Sequence, residues 1–159
     1  MESFFDKNKN RWTIELTVGS ARRVLAECNI DLLNVIKIDD GGIDTTVFSK
    51  LSDDPFLLVS VIFSLCKSQV EKQNLSADDF ADLWDSETVA QAVDALTKEI
   101  INFSQPAKKK MLALLYNKTQ AFQQKMEQQI EKTLSDPKFN AELDGQLNNL
   151  LTNLQESSE

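Results

Sequence analysis

The chain has 159 residues, of which 42% are hydrophobic and 26% charged; this composition excludes a disordered chain and suits one domain with a helical extension. Its formal net charge of -8 argues against nucleic-acid binding, because a duplex-binding surface needs clustered Lys and Arg. The sequence has no histidine, so the commonest general base and metal ligand is missing.

The N-terminal region is predicted to form a β-hairpin followed by a helix. Apolar and polar residues alternate strictly over residues 11–18, which is typical of a half-buried strand. A polar, turn-like segment precedes this strand, so residues 3–5 are its candidate partner. Ser20 then follows a glycine and is predicted to cap a helix that runs to about Asn29.

The middle of the chain is predicted to be helical. A short helix is expected from Thr45 or Thr46 to Leu51. The sequence SDDP at residues 52–55 predicts the start of a central, largely apolar helix that reaches about Gln73. Ser76 and Asp79 have the spacing of a capping box for the next helix, and a further helix is predicted over residues 86–103.

The last part of the chain is predicted to form two amphipathic helices. Pro106 marks a boundary, and residues 108–134 are predicted to form one long helix. Asp136 and Pro137 break it before a final helix. Their apolar residues recur at helical spacing opposite faces rich in Gln, Asn and Lys, so the helices are interpreted either as a hairpin or as an extension that docks on a partner. Their apolar rows are interpreted either as part of the core or as a partner surface. The candidate partner-binding residues are Leu115, Phe122, Met126, Ile130, Leu143 and Leu147.

Side chains that could carry catalysis or bind a metal are scarce. Cys28 and Cys66 lack the spacing of zinc ligands and are interpreted as small buried residues. The acidic loop at residues 39–44 fails the EF-hand pattern, because glycine and isoleucine occupy positions that need oxygen ligands. The acid pairs at residues 53–54 and 78–79 stand at predicted helix starts, where caps are expected. The sequence therefore predicts a protein that is not an enzyme and has no cofactor and no metal.

The sequence also predicts where the protein acts. The N-terminus is polar within six residues and shows no signal segment, and the longest apolar run is too short to span a bilayer. We therefore expect a cytoplasmic protein without a membrane segment. The acidic excess lies in residues 1–105, which are predicted to form a helical body, whereas residues 106–159 hold the amphipathic helices.

The order of these elements resembles that of the tail assembly chaperones of long-tailed bacteriophages. The resemblance covers about residues 11–115. The segments that carry it are RWTIELTV at 11–18, RRV at 22–24, DLL at 31–33, LSDDP at 51–55, LSADDF at 75–80 and AVDAL at 92–96. It implies a factor in the host cytoplasm that coats the helical tape measure protein during tail assembly and is absent from the mature virion. It supplies no catalytic residues.

The expected fold is therefore mainly α: a helical bundle with a small N-terminal β-hairpin and a long C-terminal helical hairpin or extension. The expected function is that of a phage tail assembly chaperone that binds the tape measure protein or another helical tail protein. The alternative is a structural or scaffold subunit of a phage tail that forms a homo-oligomer through its C-terminal helices.

Overall fold

The computed structural model describes residues 1–39 and 42–156. It is 71% helical, which confirms the predicted fold class. The elements in chain order are β1 (Glu2–Phe5), β2 (Arg11–Ile14), α1 (Val18–Cys28), β3 (Lys37–Asp39), β4 (Gly42–Asp44), α2 (Thr46–Asp53), α3 (Pro55–Leu65), α4 (Lys67–Lys72), α5 (Ala77–Ala81), α6 (Ser86–Phe103), α7 (Pro106–Leu134) and α8 (Pro137–Glu156). The chain divides into two units, Met1–Lys110 and Met111–Glu159.

The predicted N-terminal hairpin is present, but its second strand is shorter than expected. Strand β1 pairs antiparallel with β2, and Phe4 lies opposite Trp12. The strand predicted to reach Val18 ends at Ile14 because a capping box starts α1 earlier. The Ser20 backbone N–H donates to Thr17 Oγ1 at 3.0 Å, and the Thr17 N–H donates to Ser20 Oγ at 2.8 Å. Thr17, and not Ser20, is therefore the N-cap.

The helix predicted to reach Gln73 begins as expected but is interrupted at Cys66. Asp54 caps α3 by accepting a hydrogen bond from the Leu57 backbone N–H at 3.0 Å, with Pro55 in the first turn. Cys66 then separates α3 from α4. The interruption coincides with a long-range pair, in which the Gln69 side-chain amide accepts from Thr13 N at 3.0 Å and donates to Thr13 O at 2.7 Å.

The remaining predicted helices of the first unit are confirmed. Ser76 and Asp79 form the expected capping box of α5, in which each side chain accepts from the backbone N–H of the other. The helix predicted over residues 86–103 is α6, and Asp85 caps it by accepting from Thr88 N at 2.8 Å. The acidic loop predicted to bind no calcium includes residues 40 and 41, which lie outside the described residues.

An aromatic cluster forms the centre of the first unit. Trp12 from β2 meets Phe80 from α5 edge to face, with ring centroids 4.8 Å apart. Phe4, Phe63 and Trp84 complete the cluster at centroid separations of 5.2 to 5.7 Å. Trp12 and Phe80 are fully buried, so the short helix α5, which is too short to be stable alone, is held by its aromatic side chain.

A buried carboxylate organises the turn between β1 and β2. Asp6 is 1% exposed. Its Oδ1 accepts hydrogen bonds from the backbone N–H groups of Asn8 and Asn10, both at 2.9 Å. Its Oδ2 accepts from Asn10 Nδ2 at 2.9 Å and from the Trp12 indole N–H at 3.0 Å. One carboxylate thus accepts hydrogen bonds from the backbone N–H groups of the turn and from the indole N–H of the aromatic cluster.

Candidate functional site

Three of the four apolar residues predicted to bind a partner on α7 are exposed, and the fourth, Leu115, is half-buried. Phe122, Met126 and Ile130 follow one another at intervals of four residues, and their side chains are 63%, 47% and 52% exposed. Because residues four apart are neighbours on a helix surface, Phe122, Met126 and Ile130 form a continuous apolar stripe on α7. Leu115 lies on the same face two turns before Phe122, with Thr119 between them.

The candidate residues on α8 are exposed as well. Leu143 and Leu147 lie in the middle of α8, and Leu150 and Leu151 follow one turn later. Intervals of four and then three residues place Leu143, Leu147 and Leu150 on one face of the helix. Helix α8 therefore presents an apolar row of its own, separate in sequence from the stripe of α7.

Helices α7 and α8 do not form the hairpin that was one of the two predicted arrangements. A hairpin would bury one face of each helix, yet every residue described between 121 and 153 is exposed. The two helices are joined at Ser135 and Asp136. Across this junction Asn140 Nδ2 donates to Leu134 O at 3.0 Å, and the Lys138 N–H donates to Asp136 Oδ1 at 2.9 Å.

A row of lysines beside the apolar stripe was missed in the sequence analysis. Lys118, Lys125 and Lys132 recur every seven residues along α7, and all three are exposed. A spacing of seven is two helical turns, so the lysines lie along one side of the helix. The regular interval in the sequence was the available signal. The basic patch at residues 108–110 is different, because Lys108 Nζ donates to Leu33 O at 2.8 Å.

The carboxylates that could have suggested catalysis are caps. Asp54 and Asp79 accept hydrogen bonds from the backbone at the starts of α3 and α5. Hydrogen bonds from the Ser76 hydroxyl and backbone N–H lower the pKa of the Asp79 carboxyl. Asp54 and Asp79 therefore stabilise the starts of two helices, as the sequence predicted.

The two cysteines are not activated nucleophiles. Cys66 is buried, as predicted, with its Sγ 3.5 Å from Thr13 O, and burial raises the pKa of its thiol to about 12. Cys28 is half-buried, and burial, together with the nearby Glu27 carboxylate, raises the pKa of its thiol too. Since the thiolate is the reactive form, a raised pKa makes neither thiol more reactive than an ordinary cysteine.

The described part of the chain shows no group of three His, Cys, Asp or Glu side chains that could hold a metal ion. Over residues 1–39 and 42–156, no helix is both long and apolar enough to cross a bilayer. Comparisons with protein-family models, with curated proteins and with solved structures found no match to this chain.

Removing residues 121–159 is expected to leave a folded protein whose melting temperature changes by only about 3 °C. The reason is that the described side chains beyond residue 120 are exposed up to residue 153, so their removal uncovers little apolar surface. Circular dichroism melts of the full and shortened chains measure the difference. An insoluble shortened chain, or a loss of more than about 10 °C, would mean that these helices belong to the folded core.

Proposed function

We propose that this chain is a non-catalytic protein that binds a helical client, and that it serves as the tail assembly chaperone for the tape measure protein of a long-tailed bacteriophage. The observation that carries the proposal is the exposed apolar stripe on α7. Phe122, Met126 and Ile130 follow one another there one turn apart and exposed, and the half-buried Leu115 lies on the same face two turns earlier.

The stripe has the form that helix recognition requires. An amphipathic helix docks through apolar side chains one turn apart on one face, and Phe122, Met126 and Ile130 supply three such contacts. Burying one large apolar side chain fully contributes about 1.5–3 kcal/mol, so a client that covers three half-exposed ones gains several kcal/mol. Phe122, Met126 and Ile130 are each about half exposed or more, so the stripe is available for a partner.

The physical properties of the chain suit a chaperone for an aggregation-prone helical protein. A net charge of -8 keeps a complex soluble by mutual repulsion. Together with the order of elements that resembles the tail assembly chaperones, this supports a role in the host cytoplasm during tail assembly. The proposal includes absence from the mature virion.

A second candidate function is a self-associating structural or scaffold subunit of a phage tail. The apolar row of Leu143, Leu147 and Leu150 on α8 favours it, because intervals of four and three residues are those of a coiled-coil seam. In this alternative the row on α8 pairs with another copy of the chain, and the protein remains in the assembled tail.

Co-expression with the tape measure protein tests the proposal against this alternative. A chaperone keeps the tape measure protein in the soluble fraction, co-purifies with it and is missing from purified virions. A structural subunit forms discrete oligomers alone, leaves the tape measure protein insoluble and is found in virions by mass spectrometry. The second set of results would overturn the proposal.

A further inference from the structure

Lysines border the apolar stripe of α7 along one side, and Glu127, three residues before Ile130, lies on the other side. Lys118 comes three residues after Leu115 and four before Phe122, and Lys125 comes three residues after Phe122. Residues at these intervals are neighbours on a helix surface. The two lysines therefore flank the part of the stripe between Leu115 and Phe122, and Lys132 continues the row beyond it.

These lysines are not neutralised within their own helix. The positions three and four residues before and after Lys118 and Lys125 hold only Leu, Ala, Phe and Gln, so no helical ion pair is available to either. Within the described residues, none of the three lysines of the row forms an ion pair. Each ammonium group faces solvent beside an exposed apolar surface.

A second copy of α7 would not compensate this charge. If two copies of α7 packed antiparallel through the stripe, the lysine row of one would face the lysine row of the other. If they packed parallel, Lys118 and Lys125 would meet Gln123 and Ile130, which carry no negative charge. Like charges across a helical interface destabilise it, so antiparallel pairing of α7 is disfavoured, and parallel pairing leaves the lysines uncompensated.

We propose that the lysine row selects the client: the stripe of α7 docks an amphipathic helix of another protein that carries Asp or Glu along one border of its apolar face. This inference rests on the proposed function and adds the chemistry of the partner. The stripe from Leu115 to Ile130 spans about 22 Å at 1.5 Å per residue. The client segment is therefore about four turns long, with acids at intervals of about seven residues to match the lysines.

Two synthetic amphipathic peptides of equal length test the inference with the full chain. They share the same Leu and Ile positions and differ only at the residues that border the apolar face, which are all Glu in one and all Lys in the other. At low salt the protein is expected to bind the Glu peptide about tenfold more tightly than the Lys peptide. The preference should shrink at high salt, since exposed ion pairs are screened.

Charge reversal supplies the decisive variant. In K118E/K125E/K132E the preference is expected to reverse toward the Lys peptide, as measured by fluorescence anisotropy. The matched control K7E/K110E/K138E changes three other exposed lysines and the net charge by the same amount. It should keep the preference of the natural chain, because these residues lie off the row.

Each other outcome overturns the inference in a distinguishable way. Equal affinity for both peptides, in the natural chain and both variants, would leave the stripe as a docking surface and remove the role of the lysines. Binding of neither peptide would remove the docking surface and, with it, the basis of the proposed function. A dimer of the chain alone that K118E/K125E/K132E breaks would identify the occupant as a second copy.

Discussion

Replacement of Phe122, Met126 and Ile130 by Gln is expected to abolish recovery of a soluble complex with the tape measure protein. Each side chain is about half exposed or more, so a docked client would cover most of its remaining apolar surface. The three changes together remove about 3 kcal/mol of binding free energy, which is more than a hundredfold in affinity. Co-expression followed by affinity purification measures the loss.

The same variant is expected to fold normally. Gln is a good helix former, and exposed positions contribute little to stability, so the free energy of unfolding in urea should change by about 1 kcal/mol at most. A control with Asn117, Gln124 and Gln128 replaced by Ala changes the opposite face of α7 and should retain the complex. If the control loses the complex and the stripe variant keeps it, the client binds another face.

Locally capped elements were the part of the fold that the sequence predicted best. The capping box of Ser76 and Asp79 depends only on residues close together in the sequence, and so does the cap that Asp54 provides for α3. The start of α1 was misplaced because Thr17 and Ser20 are both good caps, and only their mutual hydrogen bonds decide between them.

Features that depend on tertiary contacts were not predictable from local patterns. The interruption at Cys66 coincides with the bonds between Gln69 and Thr13, which are 56 residues apart in sequence. The helix that contains Phe56 is apolar nearly all round, yet Phe56 is 86% exposed. A helix that is apolar on every side cannot bury every side in a small domain, and the sequence does not indicate which side is left out.

In the candidate site, too, the spacing of the residues could be predicted from the sequence, whereas whether another helix covers them could not. The intervals of Phe122, Met126 and Ile130 identified the apolar stripe from sequence, because helical spacing is a local property. Whether α8 would fold back and cover it depends on the junction at Ser135 and Asp136, which a pattern of apolar residues does not describe. The row of lysines was overlooked since single charged residues on an exposed face are common.

The buried carboxylate of Asp6 should be the most sensitive single polar position in the first unit. Replacement by Ala leaves the Trp12 indole N–H and the backbone N–H groups of Asn8 and Asn10 without their acceptor. Hydrogen bonds to a charged group contribute about 1.5–3 kcal/mol, so the expected loss in the free energy of unfolding is about 3 kcal/mol, measured in urea at pH 7.

Asp6 should also make stability depend on pH. Burial raises the pKa of its carboxyl, but the hydrogen bonds from Trp12, Asn10 and Asn8 outweigh burial and bring the pKa below the ordinary value of 3.8. Because the folded pKa is lowered, the carboxylate contributes its full stability above pH 3.8. The contribution is then lost as the pH falls through the folded value.

Replacement of Asp6 by Asn separates this pH-dependent contribution from the acid sensitivity of the rest of the chain. An Asn amide places an NH2 group where Oδ2 accepts from Trp12 and Asn10, so a loss of about 2 kcal/mol is expected at pH 7. The difference in unfolding free energy between the natural chain and the Asn variant should narrow below pH 3.8. Asp82→Asn, at an exposed carboxylate, is the control and should show almost no difference in unfolding free energy at any pH.

A difference in unfolding free energy between the natural chain and the Asp6 variant that stays constant down to pH 2 would contradict this prediction. It would mean that the ionised form of Asp6 does not stabilise the turn. The β1–β2 turn would then owe its stability to the shape of the side chain alone.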